Sequence, residues 1–155
     1  MKTAVTDADS LSAPPSTEPI RYIESSALLS AILERDSAAV RAVRARGRRV
    51  TSMLTLAESQ RALIRAHATR RIDVKQLRAA TRALRTFAAR CDLVSVTDEV
   101  LSRAARKFPT EPVRTLDAIH LATAEILGEP AAVITIVTRD ARIRANALAL
   151  GYATE

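Results

Sequence analysis

The sequence predicts a three-layer α/β fold, in which a short central parallel sheet is covered by helices on both faces. Short apolar runs alternate with longer segments that keep a helical period along the chain. One of these runs, residues 133–137, is β-branched throughout, as expected of a strand that is buried on both faces. Strands that alternate with helices are typical of a parallel sheet.

The individual elements follow from the apolar pattern and from residues that cap helices. The predicted strands are residues 20–23, 50–52, 93–96 and 133–137. The predicted helices are residues 26–33, 36–46, a long helix through 54–64, one that begins after Asp73, one that begins after Thr97, 116–127 and 140–150. Asp and Thr are common residues just before a helix, and Gly47, Gly128 and Gly151 follow three of the predicted helix ends.

The chain is predicted to contain one folded domain, residues 20–155, preceded by a flexible tail, residues 1–19. The tail is rich in Ser, Thr, Asp and Pro and has no apolar period. No apolar run has the length of a signal peptide or of a membrane span, so we expect no membrane association. The single cysteine, Cys91, excludes an intramolecular disulfide and fits a reducing compartment, which predicts a cytoplasmic protein.

The charge distribution suggests a polyanionic partner. The formal net charge is +7, although the tail holds three acidic residues against one lysine, so the basic excess lies in the predicted domain. Most of these basic residues are arginines, which pair with phosphate in a forked geometry. The other interpretation is an ordinary solvated surface. With only two Tyr, two Phe and no Trp, a surface that binds nucleic acid by stacking bases is excluded, and contacts through phosphates are expected.

Four acidic residues fall where this fold would bring them together. Glu24 follows the first strand, Asp140 follows the last predicted strand, and Asp117 lies in the first turn of a helix; Glu58 lies in the long helix. Carboxylates held close together repel one another, and such a cluster commonly binds a divalent cation. The alternative is that the aspartates are ordinary helix caps and that Glu58 pairs with Arg61.

The segments around these acids resemble the four motifs of PIN-domain nucleases. They are YIESSALL at residues 22–29, TLAESQRAL at residues 55–63, LDAIHLATA at residues 116–124 and TRD at residues 138–140. The third motif is the most specific, and the four occur in the order of the family across residues 20–151. By pattern the chain is most similar to the VapC-type toxins of bacterial toxin–antitoxin pairs.

This resemblance implies a PIN-like fold and a Mg²⁺- or Mn²⁺-dependent endoribonuclease, a hydrolase that cleaves RNA phosphodiesters with metal-activated water. The products would carry 5′-phosphate and 3′-hydroxyl ends. The resemblance further implies that Glu24, Asp117 and Asp140 bind metal directly or through water, and that Glu58 completes the catalytic cluster. It also implies a cognate antitoxin that blocks the site, and a homodimer.

Other residues of the motifs have secondary roles in this interpretation. Ser26 and Thr138 match small hydroxyl residues that support the site, although Ser26 equally fits a helix cap. His120 is expected to be packed and hydrogen-bonded rather than to bind metal. Arg61 and Arg65 lie on the same helix as Glu58, and they either contact RNA phosphates or form a solvated face.

The chain departs from the family pattern at two positions. Glu24 stands where the family usually has Asp, and its carboxylate reaches one methylene further. This departure leaves open a rival function, a catalytically impaired PIN-like module that binds RNA or protein. A structure-specific DNA nuclease is a third interpretation, disfavoured by the small size of the chain. Asn146 stands where Ala is usual and is expected to be exposed on its helix.

Overall fold

The computed structural model describes residues 18–155, so residues 1–17 of the predicted tail lie outside the described residues. The strands are β1 (Ile20–Ile23), β2 (Arg48–Ser52), β3 (Asp92–Val94), β4 (Ile134–Val137) and β5 (Ala153–Thr154). The helices are α1 (Ser25–Leu29), α2 (Ser37–Arg44), α3 (Met53–Ala68), α4 (Val74–Ala88), α5 (Asp98–Ala104), α6 (Thr115–Ile126) and α7 (Ala141–Ala149). A π-helical turn, Ser30–Glu34, continues α1, and a short 3₁₀ turn, Ala131–Val133, precedes β4.

The five strands form one parallel sheet in the order β3-β2-β1-β4-β5. β1 lies in the middle, where Tyr22 is level with Val50 of β2 on one side and with Ile136 of β4 on the other. The strand order therefore reverses between β1 and β4. Ligand sites of open parallel sheets lie at such a reversal, beyond the carboxyl ends of the strands. Glu24 follows β1 at this position.

Two apolar layers cover the sheet, one on each face, which confirms the predicted three-layer fold. Side chains alternate along β1, so Tyr22 packs into one layer and Ile23 into the other. The Tyr22 layer contains buried residues of α5, α6 and α7, and the Ile23 layer contains buried residues of α1, α2, α3 and α4. The helices thus cover both faces of the sheet, and the ends of the strands lie at its edge.

Most helices begin at a side-chain cap, and α6 does not. Asp36 accepts a hydrogen bond from the amide of Ala39 at 2.6 Å, and Asp73 forms a reciprocal capping box with Gln76. The residue that precedes α6, Arg114, makes no capping hydrogen bond through its side chain. The first turn of α6 carries Asp117, a predicted metal ligand. The free amide groups of this turn therefore donate no hydrogen bond to the side chain of the capping residue.

The strand and helix positions match the prediction, and the differences are local. β3 ends at Val94, two residues before the predicted end, and β5 adds a short fifth strand. Asn146 was expected to be exposed, and this was wrong: it is 1% exposed, and its side chain bonds the amide and the carbonyl of Thr110 at 2.8 and 2.9 Å. Within residues 18–155, no helix is both long and apolar enough to cross a membrane.

Candidate functional site

Glu24 follows β1 and caps α1, so its carboxylate turns back against the start of that helix. Its side chain is almost fully buried, with 3% of the residue exposed. Oε1 accepts hydrogen bonds from the hydroxyl of Ser25 at 2.6 Å and from the amide of Ser26 at 3.0 Å. Oε2 accepts from Thr138 at 2.8 Å and also from the hydroxyl of Ser26. Four donors therefore compensate the burial of this carboxylate and fix its orientation.

The hydroxyl groups of Ser26 and Thr138 tie Glu24 to the segment that follows β4. Ser26 Oγ accepts a hydrogen bond from the amide of Arg139 at 2.8 Å, and Thr138 Oγ1 accepts one from the amide of Asp140 at 3.0 Å. The interpretation of Ser26 as a helix cap is wrong, because Glu24 caps α1 and Ser26 lies inside the helix. The two hydroxyl groups instead join the first and fourth sequence motifs.

Glu58 lies in the second turn of α3, and its carboxylate contacts His120 of α6. The distance from Glu58 Oε2 to His120 Nε2 is 2.7 Å, and His120 Nδ1 lies 3.0 Å from the hydroxyl of Tyr22. Burial opposes ionisation of Glu58, but its hydrogen bond to His120 helps to hold the pKa of Glu58 below its usual range. No ion pair joins Glu58 to Arg61 within the described part of the chain.

The polar groups behind Glu58 are deeply buried. Tyr22 and His120 are each only 1% exposed. Burial raises the pKa of the Tyr22 phenol, and the negative charges of Glu24 and Glu58 raise it further, so the hydroxyl keeps its proton and can donate it. With the imidazole proton on Nε2, Tyr22 donates to Nδ1 and His120 donates to Glu58, and both ring nitrogens are satisfied.

Asp117 is the least compensated carboxylate of the site. It is half-buried in the first turn of α6, and its Oδ2 is buried with no hydrogen-bond partner among residues 18–155. Burial raises the pKa of Asp117, and the nearby charges of Asp140 and Glu24 raise it further, against the opposing effect of Arg114 and Arg142. A bound cation would remove this unfavourable energy, because it pairs with the buried oxygen and offsets the repulsion.

Asp140 caps α7, as its position before the last predicted helix suggested. Its Oδ1 accepts hydrogen bonds from the amides of Arg142 at 2.7 Å and Ile143 at 3.1 Å. The same carboxylate raises the pKa of Asp117, so the two acidic groups share one region of the site. A capping role and a role in binding a cation are compatible, since the cap uses one of the two carboxylate oxygens.

The structure brings the four predicted acids to the carboxyl edge of the sheet. Two of them form a compact group with His120, and the other two lie beside it. Glu24, Glu58 and His120 each place one ligand atom within 4.8 Å of the others, the one such group found in residues 18–155. Asp117 and Asp140 lie outside that group and are coupled to it through the repulsion between Asp117 and Glu24. His120 is packed and hydrogen-bonded, as expected, and also stands within the cluster.

The sequence interpretation missed Tyr22 and Ser25. Ser25 donates to Glu24, and Tyr22 contacts His120 from the middle of the sheet. A signal for Tyr22 was present, because a tyrosine in an otherwise apolar strand needs a buried partner for its hydroxyl. Its partner lies in another motif, 98 residues along the chain.

Two pairs of arginines bear on the predicted site. Arg61 and Arg65, the predicted phosphate contacts, are exposed on α3 beyond Glu58. Arg114 and Arg142, which the sequence did not single out, are exposed at the first turns of α6 and α7, and their charges lower the pKa of Asp117. The positive charges that oppose the rise in the pKa of Asp117 thus come from the starts of the two helices that carry Asp117 and Asp140.

Comparison with known proteins gives a consistent result. Residues 21–148 match the family model of the PIN domain. Ribonuclease VapC46 of Mycobacterium tuberculosis (strain ATCC 25618 / H37Rv) is 41% identical over 134 residues, which cover 85% of this chain and 93% of that protein. The crystal structure of PAE2754 from Pyrobaculum aerophilum has a TM-score of 0.62 at 22% identity, covering 88% of this chain and 83% of that chain. A toxin–antitoxin complex from Klebsiella pneumoniae has a TM-score of 0.57 at 17% identity, covering 81% of this chain and 90% of that chain.

Proposed function

This chain belongs to the PIN-domain family, and we propose that it is a metal-dependent endoribonuclease that acts as the toxin of a toxin–antitoxin pair. The observation that carries the proposal is the buried Oδ2 of Asp117, which has no hydrogen-bond partner among residues 18–155, in a carboxylate that Asp140 and Glu24 repel. Such an arrangement is unfavourable in a protein that only needs to fold, and a divalent cation would relieve it. The similarity to a ribonuclease of the VapC type supports RNA as the substrate.

The residues present fit Mg²⁺ or Mn²⁺, which prefer carboxylate oxygens, water and substrate phosphate as ligands. Asp117 and Asp140 are suited to direct contact. A carboxylate offers about four acceptor sites, and four donors already contact Glu24, so Glu24 contributes its negative charge to the site rather than a free ligand position. When bound, the cation would lower the pKa of a water molecule and offset the charge that develops on the phosphate.

The remaining residues bind and orient the reactants. Glu58 is ionised over a wide pH range because its pKa is lowered, so it can accept a hydrogen bond from the attacking water and orient it. Arg61 and Arg65, both exposed on the helix of Glu58, would contact RNA phosphates that flank the cleaved bond. Ser26 and Thr138 hold Glu24 in place and do not contact the substrate.

A protein partner is the second part of the proposal. A groove between α2 and α4 has an apolar lining that includes Leu33, Val40 and Phe87, all half-buried, with Arg44 and Arg90 at its rim. These features suit an amphipathic segment of an antitoxin that carries acidic residues beside its apolar face. We also expect a homodimer, which light scattering would report as twice the 16.8 kDa of the chain.

The rival proposal is a PIN-like module that binds RNA or protein without cleaving. The saturated carboxylate of Glu24 favours it, since four hydrogen bonds give this residue a complete structural role without metal. The two proposals differ in whether RNA is cut and in whether a cation binds to Asp117.

The test is RNA cleavage by the purified chain and by its Asp117→Asn variant, with Mn²⁺ or Mg²⁺ and with a chelator. The proposal predicts cleavage by the parent alone, abolished by the chelator, with products that carry 5′-phosphate. Equal cleavage by parent and variant would show a contaminating nuclease. If neither protein cleaves any RNA and neither binds Mn²⁺, the result favours the binding module. A matched single-stranded DNA separates an RNA-cleaving enzyme from a DNA nuclease.

A further inference from the structure

We propose that Tyr22 and His120 are positioning residues that hold the carboxylate of Glu58 in its working orientation at the metal cluster. The inference rests on the proposed nuclease function, because it assigns a role to residues behind one of the four acids. The three side chains form a continuous chain of contacts from the middle of the sheet, through α6, to α3.

The contacts are short and come from rigid elements. Tyr22 lies on the central strand β1, and its hydroxyl is 3.0 Å from Nδ1 of His120. The imidazole then reaches Glu58 Oε2 at 2.7 Å through its other nitrogen. Both donors are 1% exposed, so water does not replace either contact. A side chain with three rotatable bonds is thereby fixed at its tip, and its other oxygen, Oε1, is left for water or a cation.

Glu58 needs such support more than Glu24 does. Glu24 is held by four donors from the ends of β1 and β4, whereas Glu58 is half-buried and stands on the surface of a helix. His120 also lies close to the other buried acid, since its Nε2 is 3.9 Å from Glu24 Oε1. The imidazole is therefore bonded to one carboxylate of the cluster and neighbours a second.

Packing alone does not account for these residues. His120 lies in a stretch of α6 from Ala118 to Ala124 that is buried throughout, where Leu or Ala would fill space without a polar group to satisfy. Burying an imidazole and a phenol is unfavourable unless both are paired, and here they pair with each other and with a carboxylate of the site. His120 does not act as a metal ligand in this arrangement, because both of its nitrogens are occupied.

The experiment compares three variants, each of which loses one contact, with one control variant. Tyr22→Phe removes only the hydroxyl, and Tyr152→Phe is its matched control, another buried phenol that lies outside the cluster. His120→Asn keeps a nitrogen near Nδ1 and loses the contact to Glu58. His120→Gln keeps a nitrogen near Nε2, so it preserves the contact to Glu58 and loses the one to Tyr22. For each we would measure the Mn²⁺ dissociation constant without RNA, the kcat and KM for RNA, and the melting temperature.

We expect Tyr22→Phe and His120→Asn to weaken Mn²⁺ binding and lower kcat by about tenfold or more, the range known for residues that orient metal ligands. KM for RNA should stay close to that of the parent. His120→Gln loses the same contact as Tyr22→Phe, so its loss should match that of Tyr22→Phe and be smaller than that of His120→Asn. Tyr152→Phe should match the parent in Mn²⁺ binding and kcat.

Two outcomes would overturn the inference in distinguishable ways. If the parent binds Mn²⁺ and cleaves RNA while Tyr22→Phe and His120→Asn lower only the melting temperature, the residues are structural and the nuclease function stands. If the parent neither binds Mn²⁺ nor cleaves RNA, the proposed function fails and this inference fails with it.

Discussion

Thr138 donates a hydrogen bond of 2.8 Å to Oε2 of Glu24, and so joins two residues that are 114 positions apart in the sequence. Glu24 follows β1 and Thr138 follows β4, the two strands between which the order of the sheet reverses. Thr138 also accepts a hydrogen bond from the amide of Asp140. One hydroxyl group therefore sets the positions of the first and last acids of the site relative to each other.

Replacing Thr138 by Val should impair the site more than the fold. The variant keeps the side-chain shape and loses the hydroxyl that holds Glu24 and the Asp140 amide, so Mn²⁺ affinity should fall by about 10- to 100-fold. Thr138→Ser should retain most of the affinity. Thr55→Val is the matched control: the hydroxyl of Thr55 is buried with no partner among residues 18–155, so its loss should leave stability unchanged or improved. Calorimetric titration with Mn²⁺ checks the affinities, and equal values for all three variants would contradict the assignment.

Glu24→Gln should destabilise the fold as well as the site. An amide in place of the carboxylate loses charge-assisted hydrogen bonds from Ser25, Ser26 and Thr138, which should lower the free energy of unfolding by about 1–3 kcal/mol. The control is Glu34→Gln, since Glu34 is exposed and accepts one hydrogen bond, from Ser30. Urea denaturation of both variants gives the comparison. A loss at Glu24 no larger than at Glu34 would show that the four hydrogen bonds contribute little.

Asp117→Asn should keep or raise the melting temperature of the metal-free protein while cleavage is lost. The substitution removes a partly buried charge that is repelled by Asp140 and Glu24, and Asp117 does not cap α6. Thermal unfolding in chelator gives the melting temperature of the metal-free protein, and an RNA cleavage assay gives the activity. A clear drop in the melting temperature would identify Asp117 as a structural residue of the helix start.

The parent and the Asp117→Asn variant should differ in how their stability depends on pH. The pKa of Asp117 is raised in the folded state, so folding favours its protonated form. The unfavourable charge is absent below the ordinary carboxyl pKa of about 3.9 and fully present above the raised value. The parent should therefore lose stability relative to Asp117→Asn as the pH rises through that interval. Melting temperatures of both proteins, measured in chelator from about pH 4 to about pH 8, test this prediction. If the melting temperature of the variant exceeds that of the parent by less at higher pH than at lower pH, the prediction is refuted.

The fold was largely predictable, because its elements carry local signals. The β-branched run before Thr138 gave β4, and Asp73 and Thr97 marked the starts of α4 and α5. The strand order was not predictable, since it depends on which apolar faces meet. Asn146 shows the limit most clearly: its exposure was misjudged because the backbone it bonds, at Thr110, lies 36 residues earlier in the chain.

The positions of Glu24, Asp117 and Asp140 at strand ends and helix starts were predictable, and the motif pattern added Glu58, whereas the relative arrangement of the four side chains was not predictable. The sequence grouped Glu24, Asp117 and Asp140 as metal ligands, and the structure places the ligand atoms of Glu24 nearest to Glu58 and His120. Glu24 caps α1 through its side chain, so its carboxylate is held at the start of that helix. Cap geometry of this kind depends on Thr138, a partner from a distant motif.

Titration of Mn²⁺ into the metal-free parent and into Asp117→Asn, followed by calorimetry, tests most directly whether the acidic cluster is a cation site. A site built on the unpaired oxygen of Asp117 predicts saturable binding by the parent and strongly weakened or absent binding by the variant. Identical titrations of the two proteins, or no binding by either, would contradict the account.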